Sequence, residues 1–122
     1  MAKDSIWVYP DDPLFPVAHR LYPPPRCSSE LPRGWLALIK ELDESLAKIV
    51  PDYKLAQVKE KFGGLRYYID LGNDEAFSLI ERYEKLSTRT CMVCGAAGKQ
   101  RSPKGWITVE CDKCWEEMNA EK

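Results

Sequence analysis

The sequence predicts an α+β fold, and three observations predict it. Apolar residues from Trp35 to Val50 recur at three- and four-residue steps, and those from Leu65 to Leu71 alternate with polar ones. Four of the five cysteines fall in two matched pairs, Cys91-Met92-Val93-Cys94 and Cys111-Asp112-Lys113-Cys114, separated by sixteen residues. The first period is that of a helix, the second that of a half-buried strand, and the third spacing is that of a metal-binding pair of turns. With 122 residues and 44% hydrophobic content, the chain can bury one modest core. Three stretches are expected: a proline-rich arm over residues 1–33, a helix/β-hairpin/helix core over 34–90, and a four-cysteine finger over 91–122 fused to it.

The arm holds most of the nine prolines, among them Pro10, Pro13, Pro16 and the triplet Pro23-Pro24-Pro25. Proline removes an amide donor and fixes φ, so regular helix and central strand are disfavoured there. Trp7, Tyr9, Leu14, Phe15, Leu21 and Tyr22 are interleaved with the prolines, which makes the segment too apolar for a solvated linker. It is expected to run extended and pack over the core. Asp11 and Asp12, ahead of Pro13, read as turn residues.

From Gly34 the pattern becomes helical. Trp35, Leu38, Ile39, Leu42, Leu46, Ile49 and Val50 make one face, with Lys40, Glu41, Asp43, Glu44 and Lys48 on the other. Pro51 ends this helix, because a proline pushes the preceding residue out of the α region. Tyr53–Phe62 and Leu65–Leu71 then read as two strands joined at a Gly63-Gly64 turn. Lys54, Lys59, Lys61 and Arg66 gather positive charge around that turn, with Glu60 and Asp70 as expected salt-bridge partners. Its glycine amides could meet an anion, but no Walker pattern is present, so nucleotide hydrolysis has no support. A second helix from Asn73 or Asp74 to about Thr88 is expected to be capped by those residues, with Ala76, Phe77, Leu79, Ile80, Tyr83 and Leu86 turned inward.

The cysteine pairs imply one structural zinc ion bound by Cys91, Cys94, Cys111 and Cys114. Thiolate is a soft ligand suited to zinc, and each pair can approach the ion from a tight turn. Gly95 lets the first turn close as a knuckle through a positive φ. Residues 99–110 around Pro103-Lys104-Gly105 then read as a short hairpin, and Trp115–Lys122 as a helix whose start carries the second pair. Knuckle, hairpin and helix in that order make a treble-clef-like finger. Four protein ligands leave no open position at which to activate water, so the metal is expected to be non-catalytic.

Net charge is −1, which gives no general basic field toward nucleic acid. The finger is locally different. From Arg89 to Val109 it carries Lys99, Arg101 and Lys104 with Trp106 and no acidic residue. Four thiolates on zinc leave about two negative charges, which those cations can offset. Alternatively they form, with Trp106, a stacking and phosphate-contacting surface, continued by Lys61 and Arg66. Lys99 and Arg101 are read as surface cations whose removal leaves stability nearly intact. The only histidine, His19, lies in the arm with no nucleophile-and-base pairing evident, and Cys27 has no obvious partner, so no enzyme is expected. No membrane span or signal peptide is expected, and a reducing cytoplasm is the simplest compartment.

The run Gln57-Val58-Lys59-Glu60-Lys61-Phe62-Gly63-Gly64-Leu65-Arg66-Tyr67-Tyr68 carries a further signal. Together with the Gly34-Trp35 helix start, Arg89-Thr90-Cys91-Met92-Val93-Cys94-Gly95 and Gly105-Trp106, it resembles an uncharacterised family of small phage- and prophage-associated proteins. The resemblance covers about residues 34–114 and brings no activity with it. Some members have histidine at the position of Cys114, which here keeps the four-thiolate set. What the resemblance implies is a mobile-element origin, and with it a host-directed regulator or inhibitor that binds a protein. The alternative expectation is a nucleic-acid-binding protein that uses the basic finger hairpin.

Overall fold

The computed structural model describes residues 6–9, 12–21, 30–70, 72–102 and 107–120, the side chains of 118–120 excepted. Pro10, Asp11, the Pro23-Pro24-Pro25 triplet, Cys27, Leu71, and the Pro103-Lys104-Gly105 turn with Trp106 lie outside the described residues. Among those described, the chain is a small α+β fold with three α-helices and three two-stranded antiparallel sheets.

Helix α1 spans Leu36–Ile49 and is entered through a 3-10 turn at Arg33–Trp35. Trp35, Ile39, Leu42 and Leu46 step by four, three and four residues and are fully buried. Each of the aliphatic side chains Ile39, Leu42 and Leu46 contributes about 2 kcal/mol by leaving water. The helix stops where Val50, ahead of Pro51, leaves the α region at φ −133° and ψ 83°.

Strands β3 (Leu55–Lys61) and β4 (Gly64–Ile69) pair antiparallel, with an irregularity at Ala56. Leu55, Val58, Leu65 and Tyr67 face the core. The turn falls one residue earlier than the sequence suggests. Lys61 pairs with Gly64, so the loop is Phe62-Gly63, with φ of 54° and 78°. A tight two-residue hairpin loop needs positive φ at both positions. A one-residue slip would turn Leu65 and Tyr67 outward, and the core holds the register against the glycine preference.

Helix α2 spans Asp74–Ser87 and packs on α1 and β4. Its cap is as expected: the Asn73 side chain accepts from the Ala76 amide at 2.8 Å. Its inner face is Ala76, Ile80, Tyr83 and Ser87, whereas Phe77 is 50% and Leu86 44% exposed. The inward polar residue has a specific task. The Leu65 and Tyr67 amides point away from β3 and would be orphaned on the sheet edge. Ser87 Oγ accepts from Leu65 N at 2.8 Å and donates to Glu84 O at 2.6 Å, and a Glu84 carboxylate oxygen accepts from Tyr67 N at 3.0 Å. Burial pushes the Glu84 carboxyl up, against that amide and the nearby Arg66 charge.

The described part of the proline-rich segment belongs to the same core. Strand β1 (Trp7–Val8) pairs with β2 (Leu31–Pro32), and Leu21 bridges to Leu55 in parallel. Val8, Phe15, Val17, Leu21 and Leu31 are buried beside α1 and the hairpin. Asp12 makes the expected turn, its carboxylate accepting from Leu14 N at 2.8 Å.

Arg20 fastens this segment through a buried polar network. Its guanidinium donates to Asp43 at 2.9 Å and to Pro51 O at 3.0 Å, and lies 4.4 Å from the Tyr53 ring centroid. Tyr53 donates to Asp43, and Tyr67 in turn donates to the Tyr53 oxygen at 2.7 Å. Burial above all, then the neighbouring phenol and carboxylate, pushes Tyr53 far above the ordinary tyrosine range. Burial likewise raises Tyr67. A phenol kept neutral in the fold but free to ionise when unfolded supports stability fully below pH ~10, and that support falls as pH rises further. Two of the six tyrosines are therefore expected to give no tyrosinate absorbance in the native protein, appearing only as circular dichroism is lost. Six tyrosines titrating together before unfolding would contradict this network.

Candidate metal centre

The Sγ atoms of Cys91, Cys94, Cys111 and Cys114 lie within 4.8 Å of one another. Four metal–sulfur bonds of ~2.3 Å set tetrahedral sulfurs ~3.8 Å apart, so the set can hold a metal with a closing shift of about 1 Å or less. The two pairs reach this point by different local structures. Cys91–Cys94 form a turn in which Gly95 N donates to Cys91 O at 2.9 Å, and Gly95 leaves at φ 86°. Strands β5 (Lys99–Arg101) and β6 (Thr108–Glu110) follow as an antiparallel pair. Cys111 sits directly before helix α3 (Asp112–Ala120), and Cys114 lies in its first turn. Cys111 Sγ accepts from the Cys114 amide at 3.4 Å, which puts a sulfur where an N-cap oxygen would stand.

Burial is uneven across the site. Cys91 and Cys114 are buried, Cys111 is intermediate and Cys94 is exposed, 3.7 Å from Cys111 between sulfurs. Burial pushes the Cys91 thiol up, but the backbone amides of Cys111, Cys94 and Val93, with the Cys94 side chain, hold it down to about 7. Burial and the other sulfurs raise Cys114. Cys94 is raised too, although the Ala96 amide opposes the rise. Crowded thiols resist ionising together, and a bound cation removes that penalty, so binding releases protons.

The first knuckle rests on the start of α1. Gly34 N donates to Met92 O at 2.8 Å, and Trp35 Nε1 donates to Thr90 O at 3.0 Å. Met92 N donates to Val109 O at 2.8 Å, and Met92 and Val109 both belong to the central core. The metal site is thus built onto the core. The sequence presents Gly34-Trp35 as a helix start, and the structure adds its contact with the knuckle. The available signal was a glycine where a polar cap would ordinarily stand.

The expected basic surface is divided by the structure. Arg101 has a side chain only 12% exposed: it donates to Asp112 at 2.7 Å and to Glu110 O at 3.1 Å, and lies 4.9 Å from the Trp115 ring centroid. Lys99 is exposed and comes within 3.8 Å of the same carboxylate. First the Arg101 hydrogen bond and then the Lys99 charge hold Asp112 below the usual carboxylate range. Arg101 is therefore a tie between β5 and α3, unlike the surface cation read from the sequence. Arg101→Ala is expected to lower the melting temperature measurably, and Lys99→Ala to leave it within about 1 °C, since exposed pairs contribute little. Equal melting for both variants would remove Arg101 from the finger's framework. Lys104 and Trp106 lie outside the described residues. Lys61 and Arg66 stand on the central hairpin, on β3 and β4.

Among the described residues no helix is long and apolar enough to cross a membrane. Comparison with family models, curated proteins and solved structures gives no match in any of the three.

Proposed function

We propose that this chain is a non-enzymatic interaction protein in which one zinc ion, held by Cys91, Cys94, Cys111 and Cys114, builds a treble-clef-like finger. The observation that carries this is the convergence of four thiols from a glycine-ended knuckle and a helix start, with a hairpin between them. Four sulfur ligands complete the tetrahedron, and the ion then supplies fold rather than chemistry. A reducing compartment such as the cytoplasm suits such a site.

The partner in this reading is a protein, and the chain a regulator or inhibitor of mobile-element origin. Support comes from a groove of about 580 Å³ where the knuckle meets α1, with Ala37, Leu38 and Val93 between Arg33 and Glu41. Apolar side chains flanked by opposite charges suit a protein segment of mixed character. Zinc-loaded chain and its Leu38→Glu variant, used as baits in host extract, test the reading. One protein retained at high salt by the first and lost by the second is the expected result. Equal retention by both, or retention abolished by nuclease, overturns it.

A second reading, nucleic-acid binding, is favoured by a different observation. Cations and exposed aromatic rings share the outer face of the β3–β4 hairpin, whereas the finger cations Lys99 and Arg101 are engaged by Asp112.

A further inference from the structure

We infer that the outer face of the β3–β4 hairpin binds single-stranded nucleic acid, with Tyr68 and Phe62 stacking on bases and Lys59, Lys61 and Arg66 contacting phosphates. The inference rests on the second reading above, nucleic-acid binding, and assigns it to named residues of the central hairpin in place of the finger cations expected from the sequence. The placement follows from register. Gln57 opposes Tyr68, Lys59 opposes Arg66, and Lys61 opposes Gly64, while Val58, Leu65 and Tyr67 are buried on the other side. Side chains two residues apart on one face stand ~7 Å from each other, a step an extended single strand can follow.

Stability does not explain this face. Like charges directly opposite each other destabilise a pair of strands, yet Lys59 and Arg66 are such a pair. Glu60 and Asp70, the carboxylates beside them in sequence, do not neutralise them. Glu60 accepts from Gly63 N at 2.9 Å, and among the described residues no salt bridge joins Lys59, Lys61 or Arg66 to a carboxylate. Glu84 lies close enough for its charge to be felt by Arg66, so Arg66 is the partly compensated member of the three.

Phe62 adds an independent sign. It holds φ 54° in a turn position that asparagine or glycine fills without strain, and its ring is 67% exposed. The positive φ costs stability and the exposed ring returns none, so packing does not account for phenylalanine here. The Lys61 ammonium lies 5.7 Å from that ring centroid, so cation and stacking surface occur together at the hairpin tip. Tyr68, 46% exposed, places a second ring on the same face, two residues beyond Arg66.

Size decides between an acidic protein and a nucleic-acid strand. Two strands of this length offer a face about 10 Å by 20 Å, far short of the ~800 Å² per partner of a stable protein interface. A few phosphate contacts and one or two stacked bases need no more than that. The β4 edge is already closed by Ser87 and Glu84, so an added strand has no place there. The net charge of −1 makes the contact local, with no field to gather duplex DNA.

The test is fluorescence anisotropy of a labelled oligothymidylate with the zinc-loaded full chain, against a duplex and a polyglutamate peptide. Three phosphate contacts predict a log–log salt slope of about −2, or roughly 15-fold weaker binding at 200 mM than at 50 mM salt. Tyr68→Ala is expected to weaken binding ~5- to 100-fold and Tyr68→Phe to restore it; Arg66→Ala should flatten the slope by about 0.7. Lys48→Ala, on the exposed face of α1, should change nothing. Absence of oligonucleotide binding at 50 mM salt overturns the inference. So does equal displacement by polyglutamate with no effect of Tyr68→Ala, which would mark an acidic-protein surface. If Lys99→Ala weakens binding and Tyr68→Ala does not, the second reading stands and this face is wrong. Zinc content and protein capture report on the first reading separately.

Discussion

Cys91→Ser is expected to empty the proposed zinc site and unfold the finger. Cys91 is fully buried, its amide donates to Ala96 O at 2.7 Å, and its carbonyl accepts from Gly95. Removing its sulfur leaves three thiols around a hole on the core side of the site. Hydroxyl is a harder and far weaker zinc ligand than thiolate. Binding a structural zinc is worth about 10–16 kcal/mol in apparent terms, as much as the whole stability of a small domain. Among the described residues of the finger nothing else offers comparable stabilisation, since Met92 and Val109 are their main buried apolar side chains besides the cysteines. Wild-type protein purified without added metal should carry about one zinc per chain, and the variant should not retain it. The melting temperature should fall by more than about 15 °C, taking a loss above 4 kcal/mol at roughly 4 °C per kcal/mol. A variant that melts like wild type, or wild-type protein with four freely reactive thiols and no metal, would defeat the site.

Both chelation and acid should reproduce this result in the intact protein. Zinc needs deprotonated thiols, and protons compete for them as pH falls, so metal is held at neutral pH and released toward acid.

The parts of this fold that were legible in the sequence are those whose signal is periodic or paired. Trp35, Ile39, Leu42 and Leu46 announce α1 by spacing alone, and the matched cysteine pairs announce the metal site. Asn73 announces the start of α2 because an N-cap is a local event. Buried polar residues are not readable this way, because their burial depends on a partner far along the chain. Asp43 looks like a solvated helix residue until Arg20 and Tyr53 arrive around it. Ser87 breaks an apolar pattern because the Leu65 amide has nowhere else to go. Arg101 counts as a surface charge until Asp112 and Trp115 enclose it. The Phe62 turn failed for the converse reason: local glycine preference was clear, and packing of Leu65 and Tyr67 overruled it.

Gly34→Ala is expected to damage this protein about as severely as loss of a core side chain, although it adds one methyl group. A Cβ on Gly34 would lie 2.0 Å from Cys91 O, 2.7 Å from Met92 C and 2.8 Å from Gly95 N, all backbone atoms of the knuckle. Flexible side chains can move aside, but these atoms are fixed by the Gly95–Cys91 hydrogen bond and by the metal set itself. The knuckle would have to withdraw as a unit. That withdrawal breaks the Gly34–Met92 bond and pulls Thr90 O from the indole of Trp35, which is completely buried. Overpacking ordinarily costs 1–3 kcal/mol, and a clash that no rotamer can relieve belongs above that range, at about 3 kcal/mol or more. Gly63→Ala is the control that separates close approach from backbone strain. Gly63 has φ 78°, but its Cβ would come too close only to Ile107 Cγ2, at 2.7 Å, a side-chain atom, with the Ile107 carbonyl oxygen at an ordinary 3.6 Å. It should cost about 1 kcal/mol. Urea unfolding of the two variants with zinc present gives the order. If Gly34→Ala unfolds at wild-type urea and keeps its zinc, the knuckle does not rest on α1. If Gly63→Ala is the more damaged, strain at the hairpin tip outweighs the contact between core and finger.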